Sequence, residues 1–297
     1  MHFPDNGVDV LVIGSVNIDT AFRIDRLPRP GETIAAADIS ERGGGKGANQ
    51  VFAAAAHGGR AALLAAVGHD ADIALQDLRA VGVDLSGLVT VEEPTGRAVL
   101  LLAGDENAIV VGEGANGHLT PAHVDAWAAD HAAPAVVVLQ HEVRQSVVLA
   151  AIERFSGSSR VFLNPSPWRD GQLDAVFAAD VLVLNEIELA AAAGGDAREG
   201  DASDIASLLA GLPGGDVVVT MGADGALVRE AGEITRIPAH RVDAVDTVGA
   251  GDAFLGTLAM AVARGARLVD AARDAAAAAA VVVTLAGARD TTALPAS

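Results

Sequence analysis

Short apolar runs alternate with helix-length segments through most of this chain, and that rhythm restricts the fold more than any single motif does. Runs at 8–13, 61–67, 135–139, 161–163, 181–184 and 217–220 read as buried strands, with helical patterns at 73–81, 121–129, 146–155 and 202–210 between them. A strand that returns through a helix lies parallel to its predecessor, so the sheet is predicted to be mostly parallel, with helices on both faces. Two stretches break the rhythm. Residues 20–39 and 97–111 are strand-like without crossover helices, and they carry the turns Leu27-Pro28-Arg29-Pro30-Gly31 and Gly104-Asp105-Glu106-Asn107. They are expected to pair as a small separate sheet, a lid formed by about 20–40 and 96–112 on a single α/β domain spanning 1–297. A strand pair at 226–229 and 234–237 precedes two closing helices, 250–263 and the alanine-rich 268–286.

A chain of 297 residues, 51% hydrophobic and 20% charged, can supply the core such a sheet needs. The net charge of −19 argues against nucleic acid or an anionic membrane as partner. Without cysteine there is no disulfide framework and no thiol chemistry. The apolar run at 275–286 is too short to span a bilayer, and MHFPDNGVDV lacks the regions of a secretory signal, so a cytoplasmic location is expected. His57, His69, His118 and His131 show no metal-ligand spacing and read as surface or structural residues.

Chemistry concentrates in a few places. At Asp246-Thr247-Val248-Gly249-Ala250-Gly251-Asp252, an extended segment turns on glycines into a helix. Gly249 and Gly251 let backbone N–H groups approach a ligand closely, and the helix dipole favours an anion at the same spot. A carboxylate, Asp252, stands in that first turn, so donors for an anion lie beside a proton acceptor. That combination suits phosphoryl transfer to a hydroxyl, although a helix-cap acid after a plain glycine turn reads equally well from this stretch alone.

Upstream, Gly43-Gly44-Gly45-Lys46-Gly47-Ala48-Asn49-Gln50 leads into a helix expected at 51–57. Lys46 is the one lysine among 20 basic residues, the rest being arginine. The cluster is not a Walker A loop, because Gly47 stands where Ser or Thr must follow Gly-Lys, and Gly14-Ser15-Val16-Asn17-Ile18-Asp19 is not the dinucleotide fingerprint. Asn17 and Asp19 alternate with Val16 and Ile18, so both leave the end of the first strand on one face, where open α/β sheets bind ligands.

Together these motifs resemble the ribokinase-like family of sugar kinases, over essentially the whole chain. Gly44 to Gln50 is similar to the family's N-terminal signature in the form its ribose-phosphorylating members carry, and Asp246 to Phe254 to its C-terminal signature. The resemblance implies a three-layer α/β sandwich with a small β lid, and ATP-dependent phosphorylation of D-ribose to ribose 5-phosphate. It implies Asp252 as catalytic base and an anion hole at Gly249, Ala250 and Gly251. Asn17, Asp19, Gly45, Lys46, Asn49 and Glu142 would bind the sugar. Asn185 and Glu188 match the N-x-x-E motif that places Mg²⁺ and phosphates, and Thr220, Gly222, Ala223 and Gly225, with Gly251, would line the nucleotide. Asp246, Val248, Val282, Leu285, Gly287 and Thr291 would surround K⁺, mostly through carbonyls. A homodimer through the lid is implied as well.

A carboxylate is a weak base for a sugar alcohol, yet it suffices when transfer is loose and the hydroxyl becomes acidic only as its bond to phosphorus forms. Most of the rate would come from placement and charge neutralisation. Two positions depart from the family pattern: Ala276, where relatives often carry Asn or His near the adenine, and His141, where an apolar residue is expected before Glu142. Another sugar or a nucleoside remains an alternative substrate. A silent sugar- or nucleotide-binding regulator is the alternative from another class, and the intact Gly249-Ala250-Gly251-Asp252 counts against it.

Overall fold

The computed structural model describes residues 7–104, 106–169, 171, 173–194, 205–285 and 287–289. In chain order its elements are β1 (Val10–Ile13), β2 (Asn17–Arg23), β3 (Asp38–Gly44), α1 (Lys46–Ala56), β4 (Ala61–Val67), α2 (Asp72–Ala80), β5 (Leu88–Thr90), β6 (Gly96–Ala103), β7 (Glu106–Gly112), α3 (Pro121–Asp130), β8 (Val136–Gln140), α4 (Gln145–Phe155), β9 (Arg160–Asn164), α5 (Leu173–Ala178), β10 (Val181–Asn185), α6 (Glu186–Ala192), α7 (Ile205–Gly211), β11 (Asp216–Thr220), β12 (Ala226–Glu230), β13 (Glu233–Ile237), α8 (Ala250–Ala263) and α9 (Leu268–Val282).

A 9-stranded sheet runs in the order β13-β12-β11-β10-β9-β8-β1-β4-β5. The strands from β11 to β5 are parallel, and the β12–β13 hairpin closes one edge antiparallel. Side chains alternate across the pleat, which divides the apolar runs between two cores. Val10, Val12, Val136 and Val138 pack with α1, α2, α8 and α9, whereas Leu11, Ile13, Val137 and Leu139 pack with α3 to α7. This is the predicted three-layer arrangement. At the head of α3, Thr120 and His123 form a capping box around Pro121.

A separate 4-stranded sheet has the order β3-β2-β6-β7. β2 pairs antiparallel with β3 and parallel with β6, and Asn17 faces Gly44 on one side and Gly96 on the other.

Four expectations need correction. Asn17 and Asp19 do not extend the first strand; they open β2 in the small sheet. The helix after the glycine cluster begins at Lys46 rather than at 51, because Gly45 at φ 88° turns the chain straight from β3 into α1. The last helix ends at Val282, after which Thr284 and Leu285 donate to the carbonyls of Val281 and Val282 in tighter turns. The helix α5 was not foreseen at all. Of the helix expected at 202–210, residues 202–204 lie outside the described residues, as does Asp105 of the expected turn.

Candidate active site

Polar residues crowd the carboxyl edge of the large sheet. Gln140 at the end of β8 pairs with Asn164 on β9, and Asn185 on β10 pairs with Thr220 on β11. Facing this edge, α8 starts from Gly249 at φ 80° and brings Asp252 into its first turn, 7% exposed. Both carboxylate oxygens are held: Asn49 Nδ2 donates to Oδ2 at 3.0 Å and Gln50 Nε2 donates to Oδ1 at 2.9 Å. Lys46 Nζ stands 4.0 Å from Oδ1. The close approach of α1 to α8 that allows these contacts depends on Gly256, where a Cβ would sit 2.2 Å from the Gln50 carbonyl oxygen.

Lys46 brings a positive charge among the carboxylates of Asp252, Glu142 and Glu188. The charge of Asp252, and then those of Glu142 and Glu188, raise its pKa against the opposing effect of burial. Glu142 Oε2 accepts from the Ser15 hydroxyl and from the Lys46 backbone N–H at 3.0 Å, so the carboxylate ties the end of β1 to the head of α1. Asn17 is 4% exposed and its Oδ1 accepts from Asn116 Nδ2 at 2.8 Å. The glycines flanking β2 clear the space for these side chains. A Cβ on Gly44 would lie 2.1 Å from Asp19 Oδ1, and one on Gly96 would lie 2.3 Å from Asn17 Oδ1. Burial foremost, then Glu142 and Asp252, push the Asp19 carboxyl up to about 6, while Arg289 and Arg42 oppose the rise.

Arg289 is itself buried. It donates to the Ala74 carbonyl at 2.9 Å and to the Gly44 carbonyl at 3.1 Å, which puts its guanidinium behind the strand that Asp19 packs against. Burial pushes its pKa down to about 10, with Asp77, Asp19 and Asp252 opposing, so it stays charged at neutral pH. The two residues before it complete a short strap. Gly287 N–H donates to Asp246 Oδ2 at 3.1 Å, and Ala288 packs so closely on the α8 turn that a Cβ on Gly249 would come within 2.2 Å of its own Cβ.

On the other side of the glycine turn lies a cavity of about 760 Å³, lined by Ala250, Gly251 and Phe254 of α8, by Ala276, Ala279 and Ala280 of α9, and by Thr220, Gly222, Ala223 and Gly225. The residues read from sequence as nucleotide-lining therefore come together. By position the Gly251 N–H has no intrahelical acceptor, whereas the Ala250 N–H is engaged at 3.3 Å by the Thr247 carbonyl. Asn185 and Glu188 form a capping box: Glu188 N donates to Asn185 Oδ1 at 2.8 Å and Asn185 N to Glu188 Oε2 at 3.0 Å. The N-x-x-E motif thus has a structural duty, which leaves one buried carboxylate at the sheet edge. Among the described residues no group of 3 His, Cys, Asp or Glu side chains is arranged to hold a metal unaided.

The expected cation ligands are brought together in part. Asp246 Oδ1 accepts from Val248 N–H at 2.9 Å and Oδ2 from Gly287, while Val245 N–H donates to the Val283 carbonyl at 2.7 Å. Asp246 thus gathers Val248 and Gly287, and the end of α9 runs alongside through Val283; a carboxylate and backbone carbonyls are the donor types a hard cation takes. Thr291 lies outside the described residues. His141 is buried; its ring lies by Arg169 and Pro167, and burial pushes its pKa down to about 4.

Sequence reasoning missed Gln50, Asn116, Gln140 and Arg289. Gln50 and Gln140 carried a weak signal, as polar residues set among apolar runs that become fully buried. Asn116 and Arg289 carried none, because their partners lie far away in sequence.

Comparison with known proteins places the chain in a family. A family model described as pfkB family carbohydrate kinase matches residues 8–295. The deoxyribokinase of Salmonella typhi is 36% identical over 261 residues, 85% of this chain and 85% of that protein. The ribokinase of Lactococcus lactis is 32% identical over 270 residues, covering 89% and 87%. The crystal structure of ribokinase from Cryptococcus neoformans in complex with ADP is similar at a TM-score of 0.82 and 32% identity, over 97% of each chain.

Proposed function

This chain belongs to the pfkB family of carbohydrate kinases, and from that premise we propose that it transfers the γ-phosphoryl group of ATP to D-ribose, giving ribose 5-phosphate. The observation that carries the reading is the position of Asp252. Its carboxylate is clamped by Asn49 and Gln50 at the head of α8, with the cavity on one side and Asn17, Asp19, Lys46 and Glu142 on the other.

The sugar hydroxyl attacks phosphorus while Asp252 accepts its proton; the new O–P bond forms as the bond to the leaving ADP oxygen breaks. Backbone N–H groups at Gly249, Ala250 and Gly251, that of Ala250 once released from the Thr247 carbonyl, and the ammonium of Lys46 neutralise charge on the transferring group. Mg²⁺ would be held mainly by the phosphates, with Glu188 near it, as is usual for this ion. K⁺ would lie among Asp246 and the carbonyls of Val248, Val282, Leu285 and Gly287, with Thr291, and brace the turn into α8. The reading takes the chain as one domain, 1–297, with the small sheet as a lid over the sugar.

Ribose is favoured over 2-deoxyribose by the supply of acceptors. Asp19, Glu142, Asn17 and the buried, unpartnered Oδ1 of Asn49 call for several hydroxyl donors. A sugar lacking one hydroxyl leaves such an acceptor unpaired. In a coupled ADP-release assay, kcat/KM for D-ribose is expected to exceed that for 2-deoxyribose by roughly 10–100-fold, with D-fructose and nucleosides lower still. Replacing K⁺ by Na⁺ in the same assay should slow turnover. A preference for 2-deoxyribose would overturn ribose in favour of the second reading, which the 36% identity to a deoxyribokinase supports.

Ile39 on β3 and Ile109, Val110 and Val111 on β7 leave more than half of each side chain in solvent. Their burial against a second copy of the small sheet would give a homodimer. Light scattering at assay concentration should give twice the chain mass; a strictly monomeric protein rejects the dimer.

A further inference from the structure

Behind Asp252 lies a second layer of polar groups that no contact with substrate explains. Gln50 and Gln140 are both 0% exposed, yet each carries a full amide. Gln140 Nε2 donates to Gln50 Oε1 at 2.7 Å, and Gln50 Nε2 donates onward to Asp252 Oδ1 at 2.9 Å. Their complete burial sets them apart from Asn49, Lys46 and Glu142, which each keep some exposure to solvent.

The chain has made room for this string. A Cβ on Gly14 would lie 2.0 Å from Gln140 Oε1, so glycine at the end of β1 lets the amide lie across it. The pleat of β8 turns Gln140 to the same side as Val138, toward α1 and α8. Gly256 permits α1 to come close enough for Gln50 to span the helix interface.

Resting on the kinase reading above, we propose that Gln50 and Gln140 are positioning residues for Asp252, a two-amide relay that fixes both the orientation of its carboxylate and its role as an acceptor.

The argument is one of hydrogen-bond direction. An amide has one donating and one accepting end. Because Gln140 occupies Gln50 Oε1 with a donor, only the NH₂ end of Gln50 remains for Asp252. Turned end for end, Gln50 would set its own oxygen against a carboxylate oxygen at a fully buried position. With Asn49 on Oδ2 and Gln50 on Oδ1, the carboxylate cannot rotate about its Cβ–Cγ bond, and each oxygen keeps lone-pair capacity for the incoming hydroxyl. Neither glutamine reaches the pocket, so the relay acts on turnover rather than on sugar affinity.

Steady-state kinetics of Gln140→Met, Gln140→Glu and Gln50→Met test this, with thermal unfolding checking that each variant folds. Gln140→Met is expected to lower kcat about 10-fold, with sugar KM changed less than about threefold. Gln140→Glu keeps the shape but loses the donor only once its carboxyl ionises, which burial and the nearby Asp252 delay to higher pH, so this variant is compared with wild type at alkaline pH. Gln50 then turns its NH₂ to Glu and its oxygen to Asp252, and kcat should fall further, by about 100-fold. A purely structural role predicts the opposite order, with the near-isosteric Gln140→Glu the milder in kcat. Wild-type kcat in Gln140→Met and Gln50→Met, or losses confined to KM or melting temperature, overturn the relay. If the Gln140 variants fail to fold, Gln50→Met decides the matter, since it removes the last donor directly. A wild-type protein without sugar-dependent ADP release defeats the kinase reading first and the relay with it.

Discussion

Asp252→Asn is expected to lower kcat by roughly 10²–10⁴-fold while sugar affinity stays within a few fold, because general-base assistance is lost and the pocket is left intact. The substitution is nearly isosteric, and its effect on hydrogen bonding can be followed atom by atom. The native carboxylate accepts from two side-chain amides, Asn49 on Oδ2 and Gln50 on Oδ1. An Asn side chain keeps one acceptor and gains a donor, so one of those amides meets a donor it cannot bond. The variant loses its proton acceptor and the fixed geometry together, whereas Asn17, Asp19 and Glu142 are untouched. Steady-state kinetics paired with calorimetric titration of the sugar separates the two effects. Turnover within about tenfold of wild type would remove Asp252 as the base.

The second large effect is expected at Arg289, through affinity and stability rather than turnover. Arg289→Met leaves the carbonyls of Ala74 and Gly44 without their buried donor, at a cost of about 2–4 kcal/mol in unfolding free energy. It also takes away a charge that holds the Asp19 carboxyl down. Burial pushes that carboxyl up to about 6, so its charged form, the form that would accept from sugar hydroxyls in the proposed reading, predominates above that pH. Sugar KM should therefore rise as pH falls through about 6 in the native protein. Without Arg289 the group becomes harder to ionise, and the rise should begin nearer neutrality, with kcat changed less than KM. KM measured from pH 5 to 8 in both proteins checks this; superimposable profiles would show that Arg289 does not act on Asp19.

How much of this was legible beforehand depended on the range of the interaction. The strands and helices of the large sheet followed from local alternation, because strands buried on both faces must be apolar throughout. Asp252 and Lys46 stood out because glycines and a helix start marked them in the chain itself, whereas Asn49 and Glu142 entered only through the family resemblance. The errors arose where local pattern was mute. Asn17 and Asp19 alternate as well for an extended first strand as for a new one, and only pairing with Gly44 and Gly96 assigns them to the small sheet. Gln50 and Gln140 lie 90 positions apart, and Arg289 meets Gly44 across 245. No periodicity reports contacts at that separation. The Asn185 and Glu188 motif teaches the reverse: a spacing taken from function is also the spacing of a capping box, and the structure uses it as one.

Residues 287–289 touch, one after another, Asp246, the Gly249 turn and the Gly44 strand. These three residues are in this sense a wall of the candidate site, and their handling in the laboratory matters. Proteolytic trimming that removes these residues would leave most of both cores intact, so the product could still fold and purify well while binding sugar poorly. An affinity tag is better carried at the amino terminus, and preparations with normal melting but low activity should first be weighed by mass spectrometry for a shortened tail.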